Sequence, residues 1–166
     1  MLKNISSVIS PDLLWLLASM GHGDDLVLVD RNFPATQVAK QTSTGRLIEL
    51  AGLNIPQATR AILTLMPLDH FVEEPVMRMR VVDDPDRILE IQREVIEIAR
   101  DAECREIKMG ALERFAFYEA ASKGVAVVRT SQYRPYGCFL FRMSVIIDRG
   151  LLTQCPLAAF WSLCLG

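Results

Sequence analysis

A short run of apolar residues, Leu26-Val27-Leu28-Val29, is the feature that most limits how this chain can fold. A run without any polar residue is typical of a central strand that is covered on both faces, as in parallel sheets. The run ends at Asp30, and Asn32-Phe33-Pro34 then forces a loop. We therefore expect this strand to lie inside a sheet that has helices on both sides.

Helical and strand-like patterns alternate along the rest of the chain. The first predicted helix runs from about Pro11 to Met20, because Ser10 is a favourable N-cap and apolar residues recur at helical spacing. Gly21 is expected to close this helix in the left-handed conformation. The later predicted elements are a helix from about Asn54 to before Pro67, a strand over Val76 to Val82, the longest helix from Asp84-Pro85, a short strand over Glu106 to Met109, a helix over Leu112 to Lys123 closed by Gly124, and strands over Val125 to Val128 and Phe139 to Ile147.

This alternation predicts an α/β fold. We expect a single domain over residues 1–150, with a mostly parallel sheet layered between helices in a three-layer α/β/α arrangement.

The composition is that of an ordinary soluble globular protein, with 166 residues, 51% of them hydrophobic, and a formal net charge of −2. There is no basic excess to hold a phosphate backbone, which argues against nucleic acid as a partner. The N-terminal segment lacks the apolar core of a signal peptide, and no stretch reaches the ~20 apolar residues that span a bilayer. We therefore expect a cytoplasmic protein with no membrane partner.

The C-terminal tail, residues 151–166, differs in composition from the rest of the chain. It carries no charged residue, and Pro156 interrupts it. Two interpretations of its role stay open: a terminal segment packed on the body or on a neighbouring subunit, and an artefactual or variant terminus.

The sequence carries none of the common signatures of metal or nucleotide binding. Its four cysteines form no CxxC pair and have no histidine at metal-ligand spacing. The glycine-rich phosphate-binding motifs GxGxxG and GxxxxGK(S/T) are absent, and so are the GxSxG and HExxH motifs. We therefore expect no metal and no cofactor.

His22 and Asp30 are the first candidate site residues. His22 lies between two glycines, which leave its imidazole uncrowded, and a histidine can donate or accept a proton near neutral pH. Asp30 follows the apolar strand, where open α/β sheets place ligand groups. Other interpretations stay open for both residues. His22 is equally explained as a turn residue without a catalytic role, and Asp30 as a helix cap or a turn-forming aspartate.

Further candidates lie in a loop after Pro67 and in two aromatic segments. Asp69 and His70 follow that proline, and a turn position explains them as well as a role in a site does. Phe115 and Tyr118 share a face of a predicted helix, where the default interpretation is a core position. The loop tyrosines Tyr133 and Tyr136 suit sugar binding and are equally usual as loop anchors.

Five short motifs in a fixed order carry a resemblance to a known family. They are Met20-Gly21-His22-Gly23-Asp24, Asp30 with Asn32-Phe33-Pro34-Ala35, Pro67-Leu68-Asp69, Arg114-Phe115-Ala116-Phe117-Tyr118-Glu119, and Tyr136-Gly137. With these motifs the sequence resembles the L-fucose mutarotase and D-ribose pyranase family from Leu2 to about Gly150. The fourth motif and the glycine after the closing tyrosine resemble the fucose branch.

The resemblance implies a compact α/β fold, a homo-oligomer, and a cofactor-independent isomerase that acts on a monosaccharide, L-fucose in the first place. It gives His22 the role of catalytic acid and makes Tyr118 catalytic as well. The residues implied to contact the sugar are Asp30, Asp69, Arg114, Tyr136 and the position of Cys138. Fucose mutarotases usually carry a sugar-binding asparagine at that last position. A thiol is a weaker hydrogen-bonding group, which leaves a related 6-deoxy or pentose sugar open.

A geometric argument adds a hypothesis about where the site lies. His22 and Asp30 flank one predicted strand, and eight extended residues span up to ~26 Å. A monosaccharide cannot bridge that distance, so either the flanking loops fold back or two chains contribute to one site near a subunit interface. The alternatives to a fucose mutarotase are D-ribose pyranase activity, a non-catalytic monosaccharide-binding protein, and purely structural roles for these residues.

Overall fold

The computed structural model of the chain describes residues 2–146, so the predicted tail 151–166 lies outside the described residues. Six strands form one sheet: β1 Asp25–Val29, β2 Leu47–Leu50, β3 Val76–Met79, β4 Met109–Leu112, β5 Ala126–Thr130 and β6 Phe139–Arg142. Five helices accompany them: α1 Pro11–Ser19, α2 Ala35–Ala39, α3 Ile55–Leu63, α4 Glu90–Glu103 and α5 Arg114–Ser122.

The sheet is mostly parallel, as predicted. Its strand order is β2-β5-β1-β6-β3-β4. The pairs β2–β5, β5–β1 and β3–β4 are parallel, whereas β6 runs antiparallel to both of its neighbours, β1 and β3. The first five strands therefore all point the same way. We call the side at which they end the carboxyl end of the sheet, and the opposite side the amino end.

Two apolar cores cover the two faces of this sheet and confirm the three-layer arrangement. On one face, Leu26 and Leu28 of β1 share a core with residues of α1, α3 and α4. On the other face, Val27 and Val29 share a core with residues of α2 and α5, including Phe117. All four β1 side chains from Leu26 to Val29 are fully buried, which explains why the run contains no polar residue.

Helix α1 begins where the sequence indicates and ends differently. The Ser10 side chain accepts a hydrogen bond from the Leu13 N–H at 3.2 Å, and Pro11 occupies the first turn. At the other end, Met20 is the C-cap in an extended conformation. Gly21 does not adopt a positive φ, so the prediction that it closes the helix in the left-handed conformation is wrong; Gly23 has the positive φ, at 85°.

The longest helix, α4, begins at Glu90, so its predicted start at Asp84-Pro85 is wrong. The preceding residues form turns instead, with a bridge between Val81 and Asp84. The Leu89 N–H donates to the Gln92 side chain at 3.1 Å and satisfies a donor at the true start.

Other boundaries shift by a few residues. The strand predicted over Glu106 to Met109 is wrong in position, because β4 starts only at Met109. Strands β3 and β6 end at Met79 and Arg142, before their predicted ends. Helix α5 starts at Arg114, because the Glu113 side chain caps it by accepting from the N–H groups of Phe115 and Ala116. The sequence patterns did not indicate α2 and β2 at all. Within residues 2–146, no helix has the length and apolar character needed to cross a membrane.

Candidate functional site

Asp30 is the centre of a buried polar cluster at the carboxyl end of the sheet. It directly follows β1 and is 3% exposed. Its Oδ1 accepts from the Asn32 N–H at 2.8 Å, and its Oδ2 accepts from the Gly137 N–H at 3.0 Å and from the Cys138 thiol at 3.6 Å. Burial raises the pKa of Asp30, while the hydrogen bonds from Asn32, Gly137 and Cys138 act in the opposite direction. The carboxylate is therefore held rigidly beside the start of β6.

Cys138 lies inside the same cluster. Its side chain is 3% exposed, and its thiol donates to Asp30. Burial, with a further contribution from the Asp30 charge, raises the pKa of the Cys138 thiol well above its usual value. The thiol is therefore protonated at neutral pH, which excludes it as a nucleophile. Its hydrogen bonds are with Asp30, through both the carboxylate and the backbone of that residue.

Tyr136 is held at the same end by its backbone and by its hydroxyl. It adopts a positive φ of 59°, which is uncommon for a residue with a bulky side chain. Its hydroxyl accepts from the Val82 N–H at 3.2 Å, and its carbonyl accepts from Gln92 Nε2 at 3.4 Å. The unusual backbone is thus fixed from two sides, which is how strained positions at functional sites persist.

Helix α5 places Tyr118 beside a groove. The half-buried Tyr118 ring meets the Phe33 ring edge-on, with 5.3 Å between centroids. The groove, about 440 Å³ in volume, lies between α2 and α5 and is lined by Pro34, Gln37, Val38, Gln41, Tyr118, Glu119 and Ser122.

Two further residues of the α5 motif, Arg114 and Phe115, are exposed. The guanidinium of Arg114 is exposed and lies 4.8 Å from the centre of the Phe115 ring. Phe115 is 64% exposed, so its predicted core position is wrong; Phe117 fills the core instead. The reason is that α5 meets the sheet through the face that carries Phe117 and Ala121.

At the amino end, His22 and Asp69 form a pair. His22 Nε2 lies 3.3 Å from the carboxylate of Asp69, which is 2% exposed, whereas 43% of the imidazole side chain is exposed. An ionised carboxylate only accepts hydrogen bonds, so Nε2 carries the proton and Nδ1 is the basic nitrogen of the neutral ring. Within residues 2–146, no hydrogen bond engages Nδ1.

Backbone contacts from distant parts of the chain bring this pair together. The Asp69 N–H donates to the carbonyl of Arg142 at 2.9 Å, and the Gly23 N–H donates to the carbonyl of Met143 at 2.9 Å. The guanidinium of Arg105 donates to the carbonyls of Leu68 and Asp69, both at 3.1 Å. The end of β6 is therefore the frame on which His22 meets Asp69, 47 residues further along the chain.

Sequence reasoning missed Phe71, which lies beside this pair. Its N–H donates to Asp69 Oδ1 at 2.9 Å, and its ring centroid lies 5.2 Å from that of His22. The centroid of the His70 ring lies 4.1 Å from that of Phe71, and His70 Nδ1 contacts the hydroxyl of Ser144 at 2.8 Å. The one available signal was its place two residues after Asp69 in a candidate motif.

The structure thus sorts the predicted site residues into two groups. His22 and Asp69 lie at the amino end; Asp30, Tyr136 and Cys138 form one cluster at the carboxyl end, and Tyr118 packs against Phe33 just after Asp30. The five residues of β1 separate the groups and alone extend about 16 Å, at ~3.3 Å per residue. Within a single chain, one monosaccharide cannot contact both His22 and Asp30. Among residues 2–146, no three His, Cys, Asp or Glu side chains are arranged to hold a metal ion.

Comparison with known proteins places the chain in a family. The model of the RbsD / FucU transport protein family matches residues 3–146. The fucose mutarotase of Homo sapiens is 41% identical over 155 residues, which cover 91% of this chain and 98% of that protein. The L-fucose mutarotase of Histophilus somni (strain 2336) is 34% identical over 151 residues, covering 91% and 97%.

A solved structure gives the same result for the fold. The crystal structure of the fucose mutarotase from Streptococcus pneumoniae in complex with L-fucose superposes with a TM-score of 0.78. It is 35% identical to this chain, with 88% of this chain and all of that chain covered. The length of the family match and the identity to these relatives show that the chain belongs to the RbsD / FucU transport protein family.

Proposed function

We propose that this protein is a cofactor-independent mutarotase that interconverts the α and β anomers of L-fucose. The observation that carries the proposal is the His22–Asp69 pair, an accessible imidazole held at one nitrogen by a buried carboxylate. Relatives named fucose mutarotase, at 34–41% identity over nine-tenths of the chain, support the choice of sugar.

The reaction needs two proton transfers and nothing else. Ring opening removes the proton of the anomeric hydroxyl, forms the C1 carbonyl, breaks the bond between C1 and the ring oxygen, and protonates that oxygen. Rotation about C1–C2 and the reverse steps then close the ring with the other configuration. Positioned acid–base groups typically accelerate such steps ~10²–10⁴-fold.

His22 is suited to one of these transfers. Asp69 fixes the tautomer and the orientation of the imidazole through Nε2, as carboxylates do for catalytic histidines. In this proposal the protonated ring gives a proton to the ring oxygen and recovers one when the ring closes. Tyr118 is the second proton-transfer or positioning group, because its ring faces the groove between α2 and α5.

The cluster at the carboxyl end is proposed to bind the sugar hydroxyls. The two oxygens of Asp30 accept from three donors, and a carboxylate offers about four acceptor positions, which leaves one for a hydroxyl. Arg114 and Tyr136 are proposed to supply donors from α5 and from the loop before β6. Cys138 acts through Asp30, whose position its thiol helps to fix.

We further propose that a complete site needs two subunits. Because β1 separates His22 from Asp30 and Tyr118, the His22 of one subunit would meet the carboxyl-end cluster of another. The homo-oligomer and the cytoplasmic location remain predictions from the sequence.

The test is anomer exchange of L-fucose measured by NMR saturation transfer. Exchange well above buffer is expected for the native protein, and a fall of roughly 10²–10⁴-fold for His22→Ala. No exchange with L-fucose but exchange with D-ribose would replace the proposal by a pyranase. Saturable binding without exchange of any sugar would replace it by a non-catalytic binding protein.

Mixing variants tests the shared site. His22→Ala and Tyr118→Phe subunits, each weakly active alone, are unfolded together and refolded together. If one site takes His22 and Tyr118 from different chains, some sites in the mixed oligomers regain both groups, and activity rises above that of either variant. Activity equal to the average of the two variants would overturn the shared site, as would a fully active monomer.

A further inference from the structure

Phe71 is an aromatic residue fixed beside the proposed catalytic histidine and open to solvent. It is 63% exposed, although isolated exposed apolar residues alone carry no meaning. What sets Phe71 apart is its environment. The carboxylate of Asp69 contacts the imidazole of His22 and also accepts from the N–H of Phe71, so one buried group positions both.

A second ring, that of His70, packs against Phe71. The His70 ring packs against it with 4.1 Å between centroids and an interplanar angle of 34°. His70 is held in turn by Ser144, which is 6% exposed and whose N–H donates to the carbonyl of Pro67 at 3.0 Å. An exposed ring with this backing is already in place before any ligand arrives, which lowers the entropy cost of binding against it.

We propose that Phe71 is a specificity-determining residue whose ring packs against the C6 methyl group of the sugar, so that the site favours 6-deoxy sugars. This inference rests on the proposed function. Its chemical basis is that C6 is attached to C5, and C5 to the ring oxygen. A sugar whose ring oxygen faces His22 therefore carries its C5 substituent close to that imidazole.

The distances suit this contact. The centroids of the His22 and Phe71 rings are 5.2 Å apart, and carbon atoms in contact lie ~3.5–4.0 Å apart. A methyl group next to the reacting oxygen therefore falls within reach of the ring. A 6-hydroxyl in the same place loses water against an aromatic face, which has a free-energy cost. A sugar without C6 leaves that face uncovered.

Three sugars that differ only at C6 test the proposal: L-fucose, L-galactose with a 6-hydroxyl, and D-arabinose without C6. We expect the native protein to favour L-fucose in kcat/KM by roughly tenfold, the size of effect that one methyl group gives in an apolar pocket. Phe71→Ala should bring the three values close together, whereas Phe71→Leu should keep part of the preference.

A matched control removes another exposed aromatic ring. Trp15, 48% exposed on α1, is replaced by alanine and should leave the ratio of the three kcat/KM values unchanged. A ratio that survives Phe71→Ala would overturn the proposal. So would a change of oligomeric state in Phe71→Ala without a change in that ratio, because Phe71 would then be a subunit contact.

A second measurement needs no turnover, so it separates this inference from the proposed function. In saturation-transfer-difference NMR, the methyl protons of L-fucose should receive the largest share of saturation from the native protein and lose it in Phe71→Ala. If no anomer exchange occurs, the proposed function fails while this signal still decides the role of Phe71. A weak saturation-transfer signal from the methyl protons with the native protein would overturn the proposed role of Phe71.

Discussion

At the amino end of β1, the His22 imidazole touches one buried carboxylate and keeps 43% of its side chain exposed. At the carboxyl end, Asp30 is 3% exposed and accepts three hydrogen bonds from a loop and from the start of β6. The first arrangement suits a group that must exchange protons with a ligand. The second suits a group that must stay in one place, and it also makes that group part of the fold.

Removing the Asp30 or the His22 side chain should give the largest difference in stability between the two ends. Asp30→Ala should lower the free energy of unfolding by about 3 kcal/mol, because it leaves the buried N–H of Gly137 and the partly buried N–H of Asn32 without an acceptor. His22→Ala should change it by no more than about 0.5 kcal/mol, since the ring is half exposed. Urea unfolding of both variants measures the difference, and equal values would remove the distinction between the two ends.

Adding a methyl group at each end should give a smaller contrast. A Cβ on Gly137 would lie 3.1 Å from Ile91 Cδ1, 3.2 Å from Ile55 Cγ1 and 3.4 Å from Asp30 Cβ. These buried neighbours cannot all move, so Gly137→Ala should cost about 1 kcal/mol. A Cβ on Gly21 would meet only Asp24 Oδ2, at 3.9 Å, and Gly21→Ala should be neutral or stabilising by up to ~1 kcal/mol. Thermal unfolding of the pair is the measurement, and similar melting temperatures would contradict the tight packing at Asp30.

The pH dependence of stability should give the smallest effect. Because burial raises the pKa of Asp30 above 3.8, folding is favoured by protonation of this group. The contribution of Asp30 to the free energy of unfolding is fully present below the pKa that this group has in the unfolded chain. It is lost as pH rises through the pKa that the group has in the folded protein. Native protein should therefore gain stability relative to Asp30→Asn as pH falls from neutral towards 3.8.

Glu94 provides the control of opposite sign for this measurement. The hydrogen bond from Arg134 lowers the pKa of Glu94, so its contribution is present above the unfolded pKa and is lost as pH falls through the folded one. Native protein should lose stability relative to Glu94→Gln over the acidic range. Two difference curves with the same slope would contradict the assignment for Asp30.

Local patterns predicted the elements whose signals are local. The cap at Ser10 predicted the start of α1, and the apolar run predicted β1. The same reasoning failed at Asp84-Pro85, because a Pro after an Asp also starts a turn, and the turns there bridge Val81 to Asp84. It missed α2 and β2, which are five and four residues long and leave little periodicity to detect.

For the candidate site, the sequence identified the residues and left their grouping undetermined. The resemblance selected His22, Asp30, Asp69, Tyr118 and Tyr136. It gave no sign that Asp69 belongs with His22 rather than with Asp30. Phe71 was missed because exposure and support by His70 are properties of the folded loop.

The side-chain pattern within a few residues was enough to predict the central strand, the mostly parallel α/β arrangement and the chemical types available at each loop. The antiparallel position of β6 between β1 and β3, in contrast, depends on tertiary packing. At the carboxyl end, that placement brings Gly137 and Cys138 to Asp30. At the amino end, it brings Arg142 to the loop of Asp69 and Met143 to the loop of His22. Pairing between strands more than sixty residues apart depends on which surfaces pack together, and no local propensity encodes it.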